Sequence, residues 1–362
     1  MTESIRRQLV VPPHVSAIYL ALGLSMLAAG IALMAASSAA PSVGPAPRLE
    51  LAAPPPPTAP PRVVEAAAET QPIADEIQLL FRAGGATYMR LADLERDADG
   101  ARRWPAHATP RLLNEQGVHV ALAAVRNADV PAPHRAWAGR QVVVDGTCRA
   151  TVAGFAIASR LVGSPSYAGM EKEEWDVASV MHAGTPVLAA RLDGCAGTYA
   201  RDAALPPVVI PEPVHDERLA RQARSALIAS AAGAETAQKW KEMSDQVPPG
   251  AWWEHTELTT NVVRHPRTGA TFVAVHGYIE YVCGGPDVNV WGLYRAAADG
   301  TLTPVRETRL ESLHSIEQII DIEGDGELEL IGRPWLGLDV VVADAGGGVL
   351  DQLGMQFYGC PC

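Results

Sequence analysis

Acidic side chains alternate along Asp321-Ile322-Glu323-Gly324-Asp325-Gly326-Glu327-Leu328-Glu329, and two glycines break the run. Carboxylates at every second position gather oxygens around one point, and oxygen is the donor that a hard cation such as calcium takes, six to eight at a time. Asp321, Glu323 and Asp325 stand at positions 1, 3 and 5 of such a loop, the Glu327 carbonyl at position 7 and Glu329 at position 9. Gly324 and Gly326 let the chain wrap tightly, because glycine tolerates positive φ. These five acidic residues are the candidate ligands, and calcium is the candidate ion. The same composition also suits a solvated acidic turn that holds no ion. Position 12 is Gly332 rather than Glu, and the flanking Ile319-Ile320 and Leu328–Ile331 are strand-like. A calcium site between two helices is therefore excluded.

Other residues could do different chemistry. In Phe272–Cys283 the alternation places His276, Tyr278 and Glu280 on one strand face, with Val273, Val275 and Ile279 on the other. A base, a hydroxyl and a carboxylate on one face could serve a hydrolase. The same three residues also suit a water-facing side of an antiparallel strand. Trp252-Trp253 could stack on a sugar or stand at an interface, with at least one of the pair in the core. There is no Gly-x4-Gly-Lys-Ser/Thr phosphate loop, no Gly-x-Ser-x-Gly nucleophile turn and no His-Glu-x-x-His.

The cysteines are Cys148, Cys195, Cys283, Cys360 and Cys362. Outside the cytoplasm disulfides persist. The expected pairs are Cys148 with Cys195, and Cys283 with Cys360 or Cys362. The first closes a long loop, worth roughly 4 kcal/mol through the entropy it removes from the unfolded chain. Cys360-Pro361-Cys362 is alternatively a redox or soft-metal site with a histidine beside it.

Asp321, Glu323, Gly324, Asp325, Gly326 and Glu329 resemble the Asp-x-Asp-Gly-Asp-Gly-x-x-Asp/Glu calcium loop of FG-GAP (integrin-type) repeats. The likeness covers one loop where that family carries several, and Glu323 replaces the usual Asp or Asn. It implies a structural calcium in a strand-connecting loop and an adhesive or ligand-binding context rather than catalysis. The chain as a whole resembles membrane-anchored extracytoplasmic proteins of GC-rich bacteria, which implies a compartment and no activity.

The elements that must position these residues follow from composition. Residues 1–14 form a short polar tail with Arg6 and Arg7, expected on the cytoplasmic side. Residues 15–37 carry no charge. As a helix the apolar run is about 33 Å long, against a hydrocarbon core of about 30 Å. It is expected to be a transmembrane signal anchor, making the membrane the one predicted partner and placing the body in the periplasm or extracellular space. Cleavage near Ser37-Ser38-Ala39-Ala40 would instead release a secreted protein. Residues 38–72 are Pro-rich, with Pro54-Pro55-Pro56-Pro57, and are expected to be a disordered semi-rigid spacer.

The remainder is expected to be mainly β with a helical segment (α+β). A β-rich domain spans 73–210, a helical segment 211–249, and a second β-rich domain with the acidic loop 250–362. Strands are expected around the turn signals Gly84-Gly85, Asp145-Gly146 and Gly346-Gly347-Gly348. The charged stretch 93–116 is expected to be loop with a short helix. Leu219, Ala223, Leu227 and Ala231 repeat every four residues, as on one helix face. Several short strands at such spacing suggest a sandwich, a barrel or propeller-like sheets. The net charge of −12, with only three lysines (Lys172, Lys239, Lys241), excludes broad nucleic-acid binding. Two functions remain: a non-enzymatic binding or envelope-structural module with one structural calcium, and an anchored hydrolase using the His276/Glu280 face.

Overall fold

The computed structural model describes residues 77–94, 108–115, 117–169, 174–279, 288–335 and 339–359. The tail, the apolar run 15–37 and the linker 38–72 lie outside these residues, as do Glu280, Cys283, Cys360 and Cys362. Among the described residues no helix is long and apolar enough to cross a membrane.

The body is mainly β, with antiparallel sheets. Its first eight strands are β1 (Gln78–Ala83), β2 (Ala86–Asp93), β3 (Arg111–Glu115), β4 (Val118–Val125), β5 (Gln141–Val144), β6 (Cys148–Gly163), β7 (Thr185–Asp193) and β8 (Tyr199–Asp202). Pairing runs β6–β5–β8–β1–β2–β7 and returns from β7 to β6, so six strands close into an antiparallel barrel. Closure removes the exposed edges that an open sheet would present. The long β6 makes this possible. Its first residues pair with β5, and its later ones carry β4 and β3 outside the barrel. The three-residue β5–β6 connection opens with left-handed φ of 46° at Asp145 and 69° at Gly146, and the Thr147 N–H closes the turn on the Val144 carbonyl at 3.1 Å. Leu80, Met89, Val142, Val152, Phe155 and Leu192 fill the interior.

The crossover then enters a second sheet: β9 (Glu212–Pro213), β10 (Leu258–Arg264), β11 (Thr271–Ile279), β12 (Val288–Ala296) and β13 (Leu302–Arg309). Between β9 and β10 come helices Glu217–Ala229 and Ala231–Glu242, capped by Asp216 and Ser230, whose side chains accept the Leu219 and Gly233 N–H groups. Leu219, Ala223 and Leu227 pack on Val273, Val275 and Val290 of this sheet. A third sheet follows as a meander: β14 (Ser315–Ile320), β15 (Glu329–Arg333), β16 (Val340–Asp344) and β17 (Val349–Leu353). The last strand, β18 (Gln356–Tyr358), returns to run parallel to β6.

The third sheet lies between the other two. Ile320, Ile331, Val340, Val342 and Leu353 pack against the outer face of the barrel, on Ile77, Leu79, Phe81 and Tyr88. The alternate residues Leu330, Val341 and Ala343 pack against Phe272, Ala274, Trp291 and Leu293 of the second sheet. The continuous apolar writing of β15 and β16 follows, because both faces are buried. Each fully buried aliphatic side chain here contributes roughly 1.5–3 kcal/mol. Arg90 of β2 straps the barrel to β17: its Nη2 bonds both Asp351 oxygens at 2.5 and 2.6 Å, and its Nη1 donates to the Gln352 carbonyl at 2.9 Å.

Several expectations need correction. The stretch 93–116 contains a strand, β3, which pairing with β4 holds in place although its own residues do not alternate. β8, β10 and β13, and helix Val177–Ala183, were not anticipated from the sequence. Trp252 and Trp253 begin a short helix; Trp252 is fully buried, the core member expected of the pair, and Trp253 is 40 % exposed.

Candidate functional site

The acidic stretch is the hairpin loop between β14 and β15, and it stands where all three sheets meet. Asp321 organises it. Its backbone exchanges two hydrogen bonds of 2.9 Å with Val209 of the crossover. Its carboxylate is wholly buried. Oδ1 accepts the N–H groups of Gly324 and of Asp325, the latter at 3.1 Å. Oδ2 accepts from the Gly326 N–H at 2.8 Å and from His265 Nε2 at 2.8 Å. Both oxygens thus accept twice, about what a carboxylate's lone pairs allow, so an ion that took an oxygen of Asp321 would displace one of these donors. Gly324 (φ 74°) and Gly326 (φ 96°) take the left-handed conformations that aim their N–H groups inward.

His265 lies in the turn between β10 and β11 and is also fully buried. Its Nδ1 accepts the Thr268 N–H at 3.1 Å, so the ring proton is on Nε2 and the imidazole is neutral. It therefore acts as a hydrogen-bond donor to Asp321 and not as a counter-charge. From the barrel, Arg201 Nη1 donates to the Ile322 carbonyl at 2.9 Å. Ile322 and Leu328 point into different cores, one toward the barrel and one toward the second sheet. The loop is thus fixed from three sides before any ion is considered.

Above this frame the carboxylates converge. Asp321, Glu323 and Glu329 each offer an oxygen within 4.8 Å of the others. That is the span across a calcium ion with oxygens at about 2.3–2.6 Å. Glu329 is buried at 6 % exposure, and its Oε2 accepts the Ile322 N–H at 2.8 Å. Its pKa is pushed up to about 8, first by burial, with the Ile322 N–H opposing and the charges of Glu323, Asp321 and Asp325 adding to the rise. Concentrated negative charge of this kind is what a cation relieves. Both His265 nitrogens are engaged, so the donor set is oxygen only, which suits calcium, magnesium or manganese rather than zinc or copper. Asp325 and Glu327 are exposed and stand outside the convergent group; Asp325 Oδ1 accepts the Glu327 N–H at 2.8 Å and shapes the turn. The exposed Arg267 lies over Gly324, close enough that a side chain there would meet its guanidinium.

No protein-family model, curated protein or solved structure matches this chain. The site must be read from its own geometry.

The other sequence candidates fare differently. His276 is half-buried rather than open to water. It sits between the second and third sheets, edge-on to Trp291 with ring centroids 6.4 Å apart. Its Nε2 meets Asn289 Oδ1 at 2.9 Å, while Asn289 Nδ2 donates to the carbonyls of Leu310 and Leu313. Burial holds the His276 pKa below the ordinary imidazole value, and the Asn289 bond acts the other way. The ring is locked in a structural network. Tyr278 stacks on His314 at 5.6 Å; Glu280, the expected third member, lies outside the described residues. Cys148 and Cys195 form a disulfide with Cα atoms 6.1 Å apart, tying the start of β6 to the chain just after β7.

His265, Arg201 and Val209 were missed. Each belongs to a different sheet or crossover, and nothing in their spacing links them to Asp321.

Proposed function

We propose that the protein is a non-enzymatic, membrane-anchored extracytoplasmic binding or envelope-structural module whose acidic loop holds one structural calcium. The observation that carries the metal assignment is the convergence of Asp321, Glu323 and Glu329 within 4.8 Å on a loop already ordered by its own backbone. Asp321 sets the loop, while Glu323 and Glu329 bring further carboxylate oxygens, and carbonyls and water would complete the shell. The likeness to an FG-GAP calcium loop supports the same ion. The apolar run 15–37 and the Pro-rich spacer support the anchor and the compartment. The disulfide of Cys148 and Cys195 fits an oxidising compartment. A bound ion would tie the loop where the three sheets meet, so its role is to stabilise the body that presents a binding surface.

Thermal unfolding of the full chain, with calcium and with chelator, tests the metal. At a hundredfold excess over Kd, binding to the folded state alone adds about 2.7 kcal/mol, or about 4 °C in Tm for a chain of this size. Glu323→Gln and Glu329→Gln should each reduce the shift. An unchanged wild-type Tm on adding calcium would remove the ion from the account.

A further inference from the structure

We propose that a second site, a tryptophan-walled cleft between the end of helix Ala231–Glu242 and the 244–251 loop, binds a planar aromatic carboxylate through Trp253 and Lys241. The cleft measures about 390 Å³, within the range of small-molecule sites, about 300–1,000 Å³. It gives the binding module a ligand class. None of its lining residues belongs to the acidic loop, so the calcium assignment does not depend on it.

Three indoles form its walls, and two of them are fixed. Trp252 is fully buried, and its Nε1 donates to the Gly233 carbonyl at 3.3 Å. Trp240 is buried too, and its Nε1 donates to the Gly250 carbonyl at 3.1 Å. His255 stacks on Trp240 with ring centroids 5.7 Å apart, and its Nε2 lies 3.0 Å from the Pro249 carbonyl. Glu254 Oε2 accepts the Ala251 N–H at 3.1 Å. The loop facing the helix is thus held at Pro249, Gly250 and Ala251, and the cleft is formed before a ligand arrives. Trp253 differs. It stands edge-on to Trp252, ring centroids 5.7 Å apart, and is exposed at the cleft. Its indole N–H makes no hydrogen bond among the described residues.

The donors and acceptors along the walls select the ligand. Lys241 is the one charged residue of the lining among the described residues. It makes no ion pair there, unlike Lys239, which meets Glu235 at 3.5 Å. The nearby acids Glu242, Asp245 and Glu254 lie outside the lining; Glu242 accepts Gln238 Nε2 at 3.0 Å, and Glu254 holds the Ala251 N–H. The cleft therefore complements an acid and not a cation. A pyranose would bring a ring of hydroxyl donors. The side chains that would meet them are themselves donors, Lys241 and the Trp253 indole, with one hydroxyl at Ser244, and the Pro249 and Gly250 carbonyls are already engaged. Hydroxyls buried without acceptors are costly. A flat apolar ring loses no hydrogen bonds there: it stacks on Trp253 against the Pro248 wall, while its carboxylate accepts from Lys241 Nζ and the Ser244 hydroxyl.

The test titrates the full chain with cinnamate, read by calorimetry and by the tryptophan indole N–H shifts. Cinnamamide, cinnamylammonium, cyclohexylpropanoate and methyl β-glucoside are the comparison probes. Cinnamate should bind saturably and more tightly than all four, with the ammonium and the glucoside failing to saturate. Trp253→Ala removes an exposed ring, so folding should be retained while cinnamate affinity falls about tenfold. Lys241→Gln should weaken cinnamate about threefold and leave cinnamamide unchanged, a split that a merely structural role would not produce. Absence of saturable cinnamate binding, equal or tighter binding of any comparison probe, or cinnamate affinity unchanged in either folded variant would overturn the proposal.

Discussion

Two aspartates at the ends of strands in one sheet, Asp321 wholly buried and Asp339 half-buried, are treated in opposite ways. Asp321, just after β14, receives four hydrogen bonds from its own loop and from His265. Asp339, just before β16, receives the Met355 N–H, while its Oδ1 has no partner among the described residues. Burial pushes the Asp339 pKa up to about 6, with the Met355 N–H and the charges of Arg160 and Arg333 opposing. Arg160 is buried at 4 % exposure and 4.7 Å over the Phe81 ring, but its Nε and Nη1 find no acceptor among the described residues. Burial depresses its pKa to about 10, Asp339 opposing. Neighbouring opposite charge alone does not repay burial; donors at bonding distance do.

The comparison breaks most directly at Asp321. Asp321→Ala strands three backbone N–H groups and the His265 ring and should cost about 4 kcal/mol in denaturant melts, in the range of a broken buried network. Asp339→Asn should cost far less at neutral pH, and equal losses would void the contrast. The next effect is pH dependence. The Asp339 pKa is raised on folding from 3.8 to about 6, so its contribution is present below 3.8 and is lost as pH rises through about 6. The ceiling is about 3 kcal/mol, reduced by the partial exposure of the group. Stability measured across this window should fall in the wild type and stay flatter in Asp339→Asn.

His265→Gln tests whether neutral donation suffices. It should lose about 1–2 kcal/mol in denaturant melts if the amide cannot reach Asp321, and unchanged stability would show that the ring's donation is not needed. The smallest effect belongs to Arg267→Ala. Removing an exposed cation above the loop should tighten calcium binding by about threefold or less, and only at low salt.

The sequence showed the acidic loop, its flanking strands and its glycines because these lie within ten consecutive residues. It also showed the Cys148–Cys195 pair and the alternation that sends Val273 and Val275 to one core and Phe272 and Ala274 to another. It misplaced His276, because a polar residue on a strand reads as solvent-facing unless the covering sheet is known. That sheet, β14–β17, comes later in the chain, and the Asn289 bond that tolerates the buried ring spans two strands. Closure of the barrel was hidden for the same reason: β8 is four residues long and is held by pairing with β1 and β5. Local pattern reports local structure, while the partners that decide burial are remote.

The central position of the third sheet also sets a timetable. The barrel closes only once β8 has been made, whereas Ile331 and Val342, which cover its outer residues Leu79 and Phe81, follow about 130–140 residues later. At about 5–20 residues per second that is a wait of roughly six to thirty seconds. Through that interval the barrel presents an open apolar face, and the second sheet, once complete, adds its own on the side toward Leu330. Nascent chains halted before β14 should therefore associate or engage chaperones, and the last sheet to appear should be the step that makes the body soluble.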